Sequence, residues 1–217
     1  MSKKLPERGY KFFKAVLRPI YKFYYRPKIY NKEVIPKDGP IIICCNHKHL
    51  YDQCSIIIAT KRVIHYMAKI EYWQSAKTRW FFNLAGCIPV NRQIHDEDAK
   101  QAAIDVLEHG GAIGIFPEGT RNKTIGTENE VLLLPFKFGA VSMAKKTDAT
   151  IVPFGLMGDH KVGNRNLTLV FGTPFKVGEM TLEEANELLR EKIKNLALEA
   201  EELGLKRVSG LKNKLHD

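Results

Sequence analysis

No stretch of this 217-residue sequence approaches the roughly 18 uninterrupted apolar residues that a membrane-crossing helix needs, so no transmembrane span is expected. The first residues also lack the apolar core of a secretory leader, because Lys3, Lys4, Arg8, Lys11 and Lys14 interrupt them. The four cysteines (Cys44, Cys45, Cys54 and Cys87) form no C-x-x-C pair and stand in apolar surroundings. That excludes a metal knuckle or a disulfide framework and predicts buried free thiols in a reducing compartment. Internal repeats and low-complexity segments are absent as well. These absences together predict one sizeable domain, cytosolic or lying on the cytosolic face of a membrane.

Acidic residues are scarce where basic ones concentrate. The formal net charge is +10, and residues 1–37 carry +9 of it. The basic partner surface is therefore an N-terminal segment rather than the fold. Within it, Phe12, Phe13, Val16, Leu17, Ile20 and Phe23 recur at helical spacing, with Lys11, Lys14, Arg18 and Lys22 clustered away from that stripe. Tyr10, Tyr21 and Tyr25 suit an interface, and Pro19 is expected to kink or split the helix. Two readings fit. One is a helix docked on the domain with a solvated basic face; the other is a helix lying in an anionic membrane surface, rings in the acyl boundary and cations on headgroups. The second is preferred because aromatics and cations are both dense. Charge alone would also allow nucleic acid, but no recognised nucleic-acid motif accompanies it, and none is expected as a partner.

The remaining chain alternates short apolar runs with helical patterns, which predicts an α/β sheet flanked by helices. Strands are expected over 41–45, 63–68, 86–92, 112–116, 150–156 and 167–171. Helices are expected after Asp52, through the aromatic segment 72–82, and over 96–109, 136–146 and 181–203, the last closed by Gly204. The organisation is then a basic amphipathic segment over 1–33, an α/β domain over 34–205 and a loosely ordered basic tail over 206–217.

Chemistry concentrates where two of these strands end. The run 41–45 stops at Asn46-His47-Lys48-His49-Leu50-Tyr51-Asp52, which places an imidazole at the lip of a strand, where open α/β sheets bind ligands. On one continuous helix, His47 and Asp52 would point about 140° apart. With His47 on the turn and Asp52 in the first turn of the following helix, they can meet. The carboxylate can then hold the imidazole in one tautomer and leave the other nitrogen free as a base. The strand 112–116 delivers Pro117-Glu118-Gly119-Thr120-Arg121 in the same way. Gly119 allows a close backbone approach to a ligand. Arg92 and Arg121 both follow strand ends and supply forked donors for a phosphate. Lys69 and Lys137 are secondary candidates for phosphate contacts.

Other chemistries compete for these residues. The run His47-x-His49 resembles part of the metallo-β-lactamase-like pattern, but Asp52 falls one residue late and Gln53 replaces the last histidine, so no metal is expected. A Cys45–His47 nucleophile is possible in principle, yet Cys45 fits a buried strand better, and buried thiols are usually inert.

Asn46-His47-x4-Asp52 followed by Phe116-Pro117-Glu118-Gly119-Thr120-Arg121 resembles the glycerolipid acyltransferases, closest to the 1-acylglycerol-3-phosphate (lysophosphatidic acid) acyltransferases. Two weaker blocks agree in order: Lys69 through Gly86-Cys87-Ile88-Pro89-Val90-Asn91-Arg92, and Ile151-Val152-Pro153. The resemblance covers about residues 34–175. It implies a glycerol-3-phosphate acyltransferase-like fold and acyl transfer from an acyl-carrier protein or coenzyme A thioester to the sn-2 hydroxyl of lysophosphatidic acid. The product would be phosphatidic acid, formed at the cytoplasmic face of the cell membrane by a peripheral or monotopic protein. No cofactor is implied beyond the thioester co-substrate. His47 and Asp52 would be catalytic. Arg92, Glu118, Gly119, Thr120, Arg121, Lys69 and Lys137 would bind substrate, with Glu118 holding Arg121 or the loop. Another lysophospholipid or glycerol 3-phosphate as acceptor, or a catalytically silent membrane-binding relative, are the alternatives. His49 stands where many members have Ser, and Asn91 where many have Asp.

Overall fold

The computed structural model describes residues 7–91, 93–94, 96–124 and 127–213. Helix α1 (Glu7–Tyr25) leads into a short strand, β1 (Lys28–Tyr30). Then follow β2 (Ile41–Cys45), α2 (Asp52–Ala59), β3 (Ile64–Lys69), α3 (Ala76–Leu84), β4 (Ile88–Val90), α4 (Glu97–Glu108), β5 (Ala112–Ile115), α5 (Gly139–Thr147), β6 (Thr150–Met157), β7 (Thr168–Phe171) and α6 (Leu182–Asn213). The strands make one sheet in the order β1-β7-β6-β2-β5-β3-β4. Every pairing is parallel except β6 with β7. The expected α/β architecture, a single sheet flanked by helices, is what the chain adopts.

Strand β2 lies in the middle of the sheet and is buried along its whole length. Its side chains alternate: Ile41, Ile43 and Cys45 pack with α1 and α2 on one face, while Ile42 and Cys44 pack with α4, α5 and α6 on the other. From β2 the chain runs through α2 to β3, on the far side of β5; from β5 it runs through α5 to β6, on the far side of β2. The two connections leave in opposite directions over opposite faces. That opens a crevice at the C-terminal ends of β2 and β5, the switch point where open α/β sheets hold ligands. His47 and the 116–121 loop both emerge there.

Helix α1 is docked on the domain. Tyr10 and Tyr21 are buried, and Phe13, Lys14, Leu17 and Tyr25 are half-buried. The ring of Phe13 meets Phe81 of α3 edge-on at 5.3 Å. The apolar stripe therefore divides. Phe13 and Leu17 belong to the docked face, whereas Phe12, Val16, Ile20 and Phe23 are exposed, Phe12 and Phe23 at 69% each. These four fall within about 80° of one another around the helix, and Lys11, Arg18 and Lys22 form a band beside them. Lys14 does not join that band. Its ammonium donates to the carbonyls of Thr60 and Arg62, and burial lowers its pKa to about 8. Trp80 and Phe81 of α3 are exposed as well. No helix among the described residues is long and apolar enough to cross a membrane.

Four expectations need correction. Of the kink or split expected at Pro19, the split does not occur, since α1 runs as one helix from residue 7 to residue 25. The buried tyrosines hold a point on each side of the proline, and the carbonyl it deprives of a partner belongs to solvent-exposed Ala15. The N-terminal segment is not separate from the domain, because residues 28–30 pair with β7 as the edge strand β1. Helix α6 does not end at Gly204; it continues to residue 213, so 206–213 is helix rather than loose tail. Gly204 is there for close packing: a Cβ on it would stand 2.6 Å from the carbonyl oxygen of Asn166. The start of α6 is as expected, with Thr181 and Glu184 exchanging a reciprocal pair of capping hydrogen bonds.

Candidate active site

The turn after β2 folds back so that Asp52, the first residue of α2, faces His47. The imidazole Nδ1 lies 2.9 Å from Asp52 Oδ2. The same oxygen accepts the backbone N–H groups of Lys48 and His49, each at 2.7 Å. Three donors thus converge on one carboxylate oxygen at a helix N-terminus, where the helix dipole also favours an anion. Asp52 is 1% exposed, whereas the His47 side chain keeps 16%. This is the geometry required of a base and its orienting group. The carboxylate fixes the proton on Nδ1, leaving the Nε2 lone pair free. Phe116 stacks on the imidazole with ring centroids 3.9 Å apart and limits its rotation.

The loop after β5 grips His47 by its main chain. Glu118, 4% exposed, accepts the His47 N–H through Oε1 at 2.7 Å and the Leu134 N–H through Oε2 at 2.9 Å. The Asn122 N–H donates to the His47 carbonyl at 2.7 Å. Of the two tasks the family resemblance suggests for Glu118, these bonds match holding the loop. Burial raises its carboxyl pKa, partly offset by these two bonds. Behind His47, the side chain of Asn46 exchanges hydrogen bonds with both backbone groups of Leu156 and fixes the strand exit against β6. Gly119 has φ +69°, and a Cβ on it would stand 2.9 Å from the Lys137 side chain. The turn therefore needs glycine both for its backbone angle and for the neighbouring lysine.

Two concave surfaces flank this loop. His47 opens into a cleft of about 230 Å³ lined by Met67, Val90, Ile94, Ile115 and Met143, with Gly119 and Lys137 at its polar side. A second hollow of about 390 Å³ is bordered by Lys48, Arg121 and Lys123. Of the candidates read from the sequence, His47, Gly119 and Lys137 thus share one cleft. Arg121 is exposed and lines the neighbouring one. Lys69 at the end of β3 and Thr120 are exposed and line neither. Arg92 lies outside the described residues.

The cysteines are buried and unpaired. Burial pushes Cys54 and Cys87 up to about 12 and Cys45 well above its ordinary value. Cys45 donates its S–H to the Asn46 carbonyl at 3.0 Å and is fully enclosed, so it is unfit as a nucleophile.

Several residues around the pair are not evident from sequence reasoning. Phe116 lies inside the motif that delivers Glu118, and its position as the last residue before the turn is the available signal. Asn46 and Asn122 flank motif residues in the same way. His160 has no local signal. It follows β6, and only the sheet order brings it to the same crevice. Its side chain is 2% exposed, with Nδ1 3.8 Å from Asp52 Oδ1 and Nε2 2.6 Å from the hydroxyl of Tyr21 on α1.

Comparison with known proteins shows the family of the chain. The family model described as Acyltransferase matches residues 26–157. A 1-acyl-sn-glycerol-3-phosphate acyltransferase of Bacillus subtilis is 29% identical over 206 residues, covering 89% of this chain and 100% of the relative. The enzyme of the same name from Borreliella burgdorferi is 30% identical, over 74% of this chain and 67% of its own length. The crystal structure of the 1-acyl-sn-glycerophosphate (LPA) acyltransferase PlsC from Thermotoga maritima has the same fold, with a TM-score of 0.70 at 22% identity over 91% of this chain and 82% of that one. The matched region contains β2, β5 and both motif loops, and the chain belongs to the acyltransferase family.

Proposed function

We propose that this protein is a 1-acylglycerol-3-phosphate O-acyltransferase, transferring a fatty acyl group from an acyl-carrier protein or coenzyme A thioester to the sn-2 hydroxyl of lysophosphatidic acid. The observation that carries the reading is the His47–Asp52 pair at the mouth of an apolar cleft, with a basic hollow across the same loop. The names of the relatives point to the same acceptor. In this reading His47 Nε2 takes the sn-2 hydroxyl proton as the oxygen attacks the thioester carbonyl. The tetrahedral intermediate collapses, the C–S bond breaks, and the imidazolium returns its proton to the leaving thiolate. Asp52 stabilises the imidazolium in between. The enclosed thiols favour direct attack in a ternary complex over an acyl-enzyme. The apolar cleft suits an acyl chain, and Arg121 with Lys48 and Lys123 suits the acceptor phosphate.

The outer face of α1 supports attachment to a membrane surface. Phe12, Val16, Ile20 and Phe23 are exposed, and the adjoining band of Lys11, Arg18 and Lys22 suits anionic headgroups. Purified protein on anionic vesicles, given acyl-carrier-protein and coenzyme A thioesters against lysophosphatidate, glycerol 3-phosphate and a phosphate-free lysolipid, tests the assignment. Turnover should be greatest on lysophosphatidate. Preferred use of glycerol 3-phosphate or of the phosphate-free lysolipid would reassign the acceptor, and no turnover with any pair would leave a silent membrane-binding relative.

A further inference from the structure

Asp52 has two oxygens, and the catalytic pair uses one. Oδ2 receives three donors, whereas buried Oδ1 has no hydrogen-bond partner among the described residues. The group facing Oδ1 is the His160 imidazole, with Nδ1 at 3.8 Å. On its other side, His160 Nε2 stands 2.6 Å from the Tyr21 hydroxyl, which stands 2.7 Å from Ser55 Oγ. The direction of this chain follows from electrostatics. A lone pair on Nδ1 aimed at a carboxylate would be repelled, so the proton belongs on Nδ1. Nε2 then accepts the Tyr21 O–H, and the Tyr21 oxygen accepts the Ser55 O–H.

The surroundings hold His160 in that state. Burial lowers its pKa to about 4, against the attraction of Asp52 and Asp159 and with repulsion from His49 and Lys48. Burial also raises the Tyr21 pKa, so the phenol keeps its proton. His49 stacks on the His160 ring with centroids 4.6 Å apart and planes at 14°. Tyr25 packs edge-on against the same ring at 5.5 Å. A neutral imidazole is thus clamped between α1 and the catalytic carboxylate.

We propose that His160 is a positioning residue for acyl transfer: it orients Asp52 through Oδ1 and, through Tyr21, makes helix α1 part of the active-site scaffold. This rests on the reading of His47 and Asp52 as the catalytic pair. Tyr21 sits on the face of α1 opposite the exposed stripe, so the helix that presents Phe12, Val16, Ile20 and Phe23 outward also fixes the carboxylate inward. His160 lines the inner wall of the hollow bordered by Arg121, but its side chain is 2% exposed and both ring nitrogens face protein groups, Asp52 on one side and Tyr21 on the other, so its action is on Asp52 rather than on a ligand.

The test combines kinetics on the full-length protein with a spectroscopic readout. His160→Leu fills similar space without a donor and should lower kcat about 10-fold or more at unchanged KM for lysophosphatidate. His160→Asn puts an amide N–H where Nδ1 stands and should recover most of that loss. Tyr21→Phe keeps the ring and should lower kcat in the wild-type background but add nothing in His160→Leu, because residues acting through one chain are not additive. Nitrogen NMR on the wild type should find the His160 proton on Nδ1, a readout that needs no turnover. A proton on Nε2, wild-type kcat in His160→Leu, a raised KM in place of a lowered kcat, or multiplicative effects of Tyr21→Phe and His160→Leu would each overturn the proposal. His47→Ala serves as control: if it turns over like wild type, the catalytic-pair reading has failed, and the NMR result still decides how His160 is held.

Discussion

Glu118 offers the sharpest test of how the motif loop works, because its two oxygens have two separate tasks. Oε1 holds the His47 N–H at 2.7 Å and Oε2 the Leu134 N–H at 2.9 Å, both partly buried beneath a carboxylate that is 4% exposed. Glu118→Gln preserves shape but supplies only one acceptor. At that acceptor the bond changes from charged to neutral and weakens by about 1 kcal/mol. At the other position the amide NH2 meets a partly buried N–H, donor against donor, and the unsatisfied group costs about 1–3 kcal/mol. The sum is about 2–4 kcal/mol of folding stability, with the lower end expected because burial already disfavours the charged carboxyl. Glu118→Ala frees both N–H groups and should cost about 3–6 kcal/mol, a large share of the about 5–15 kcal/mol a domain has. Urea denaturation measures the loss, and initial rates on the folded fraction measure kcat and KM. The two variants should rank alanine below glutamine in both stability and kcat, with KM for lysophosphatidate little changed. A wild-type denaturation midpoint together with a raised KM would mean that Glu118 touches substrate, and the loop-tie reasoning would be wrong.

Other consequences are testable in the same way. Asp52→Asn removes the charge that stabilises the imidazolium while keeping the side-chain shape, so kcat should fall by about 10²- to 10⁴-fold with the fold intact by circular dichroism. Phe12→Asp with Phe23→Asp should abolish flotation with anionic vesicles at any salt, whereas charge reversal at Arg18 and Lys22 should weaken it most at low salt; unchanged flotation in both would mean that the outer face of α1 does not meet the membrane. His160 has a folded pKa of about 4 against 6.5 when unfolded, so above pH 6.5 it is neutral in both states and contributes no slope. As pH falls from 6.5 towards 4 the unfolded chain takes up a proton that the folded one refuses, and stability declines. Chemical denaturation across that window should show the decline in the wild type and a shallower one in His160→Asn.

Much of this site is legible in the sequence because it is built from local signals at strand ends. An apolar run that stops at Asn46-His47 and a helix that starts at Asp52 bring the imidazole and the carboxylate together without any tertiary information, and the strand end that delivers Pro117 through Arg121 is legible in the same way. The strands over 41–45 and 112–115 stand out because they are buried on both faces and read as continuous apolar runs. What escapes is whatever the sheet order assembles. His160 and Tyr21 lie 139 residues apart and meet only because α1 packs over α2 beside the loop after β6. The edge strand β1 escapes because three half-exposed residues carry no periodicity. Helix α1 reads as one amphipathic stripe, but on the domain the stripe has two faces, and the tyrosines that dock it decide which residues remain outside. Gly204 reads as a stop because glycine usually ends helices, whereas here close contact with the 166 backbone requires it.

The central claim is that His47 acts as the base that deprotonates the acceptor. The most direct measurement is phosphatidate formation from lysophosphatidate and an acyl thioester by wild type and His47→Ala, with thiol release followed in parallel. Wild type should form phosphatidate and release thiol one for one. His47→Ala should be folded, with kcat lower by about 10²-fold or more at saturating substrate. Phosphatidate formation by His47→Ala at the wild-type rate would contradict the account.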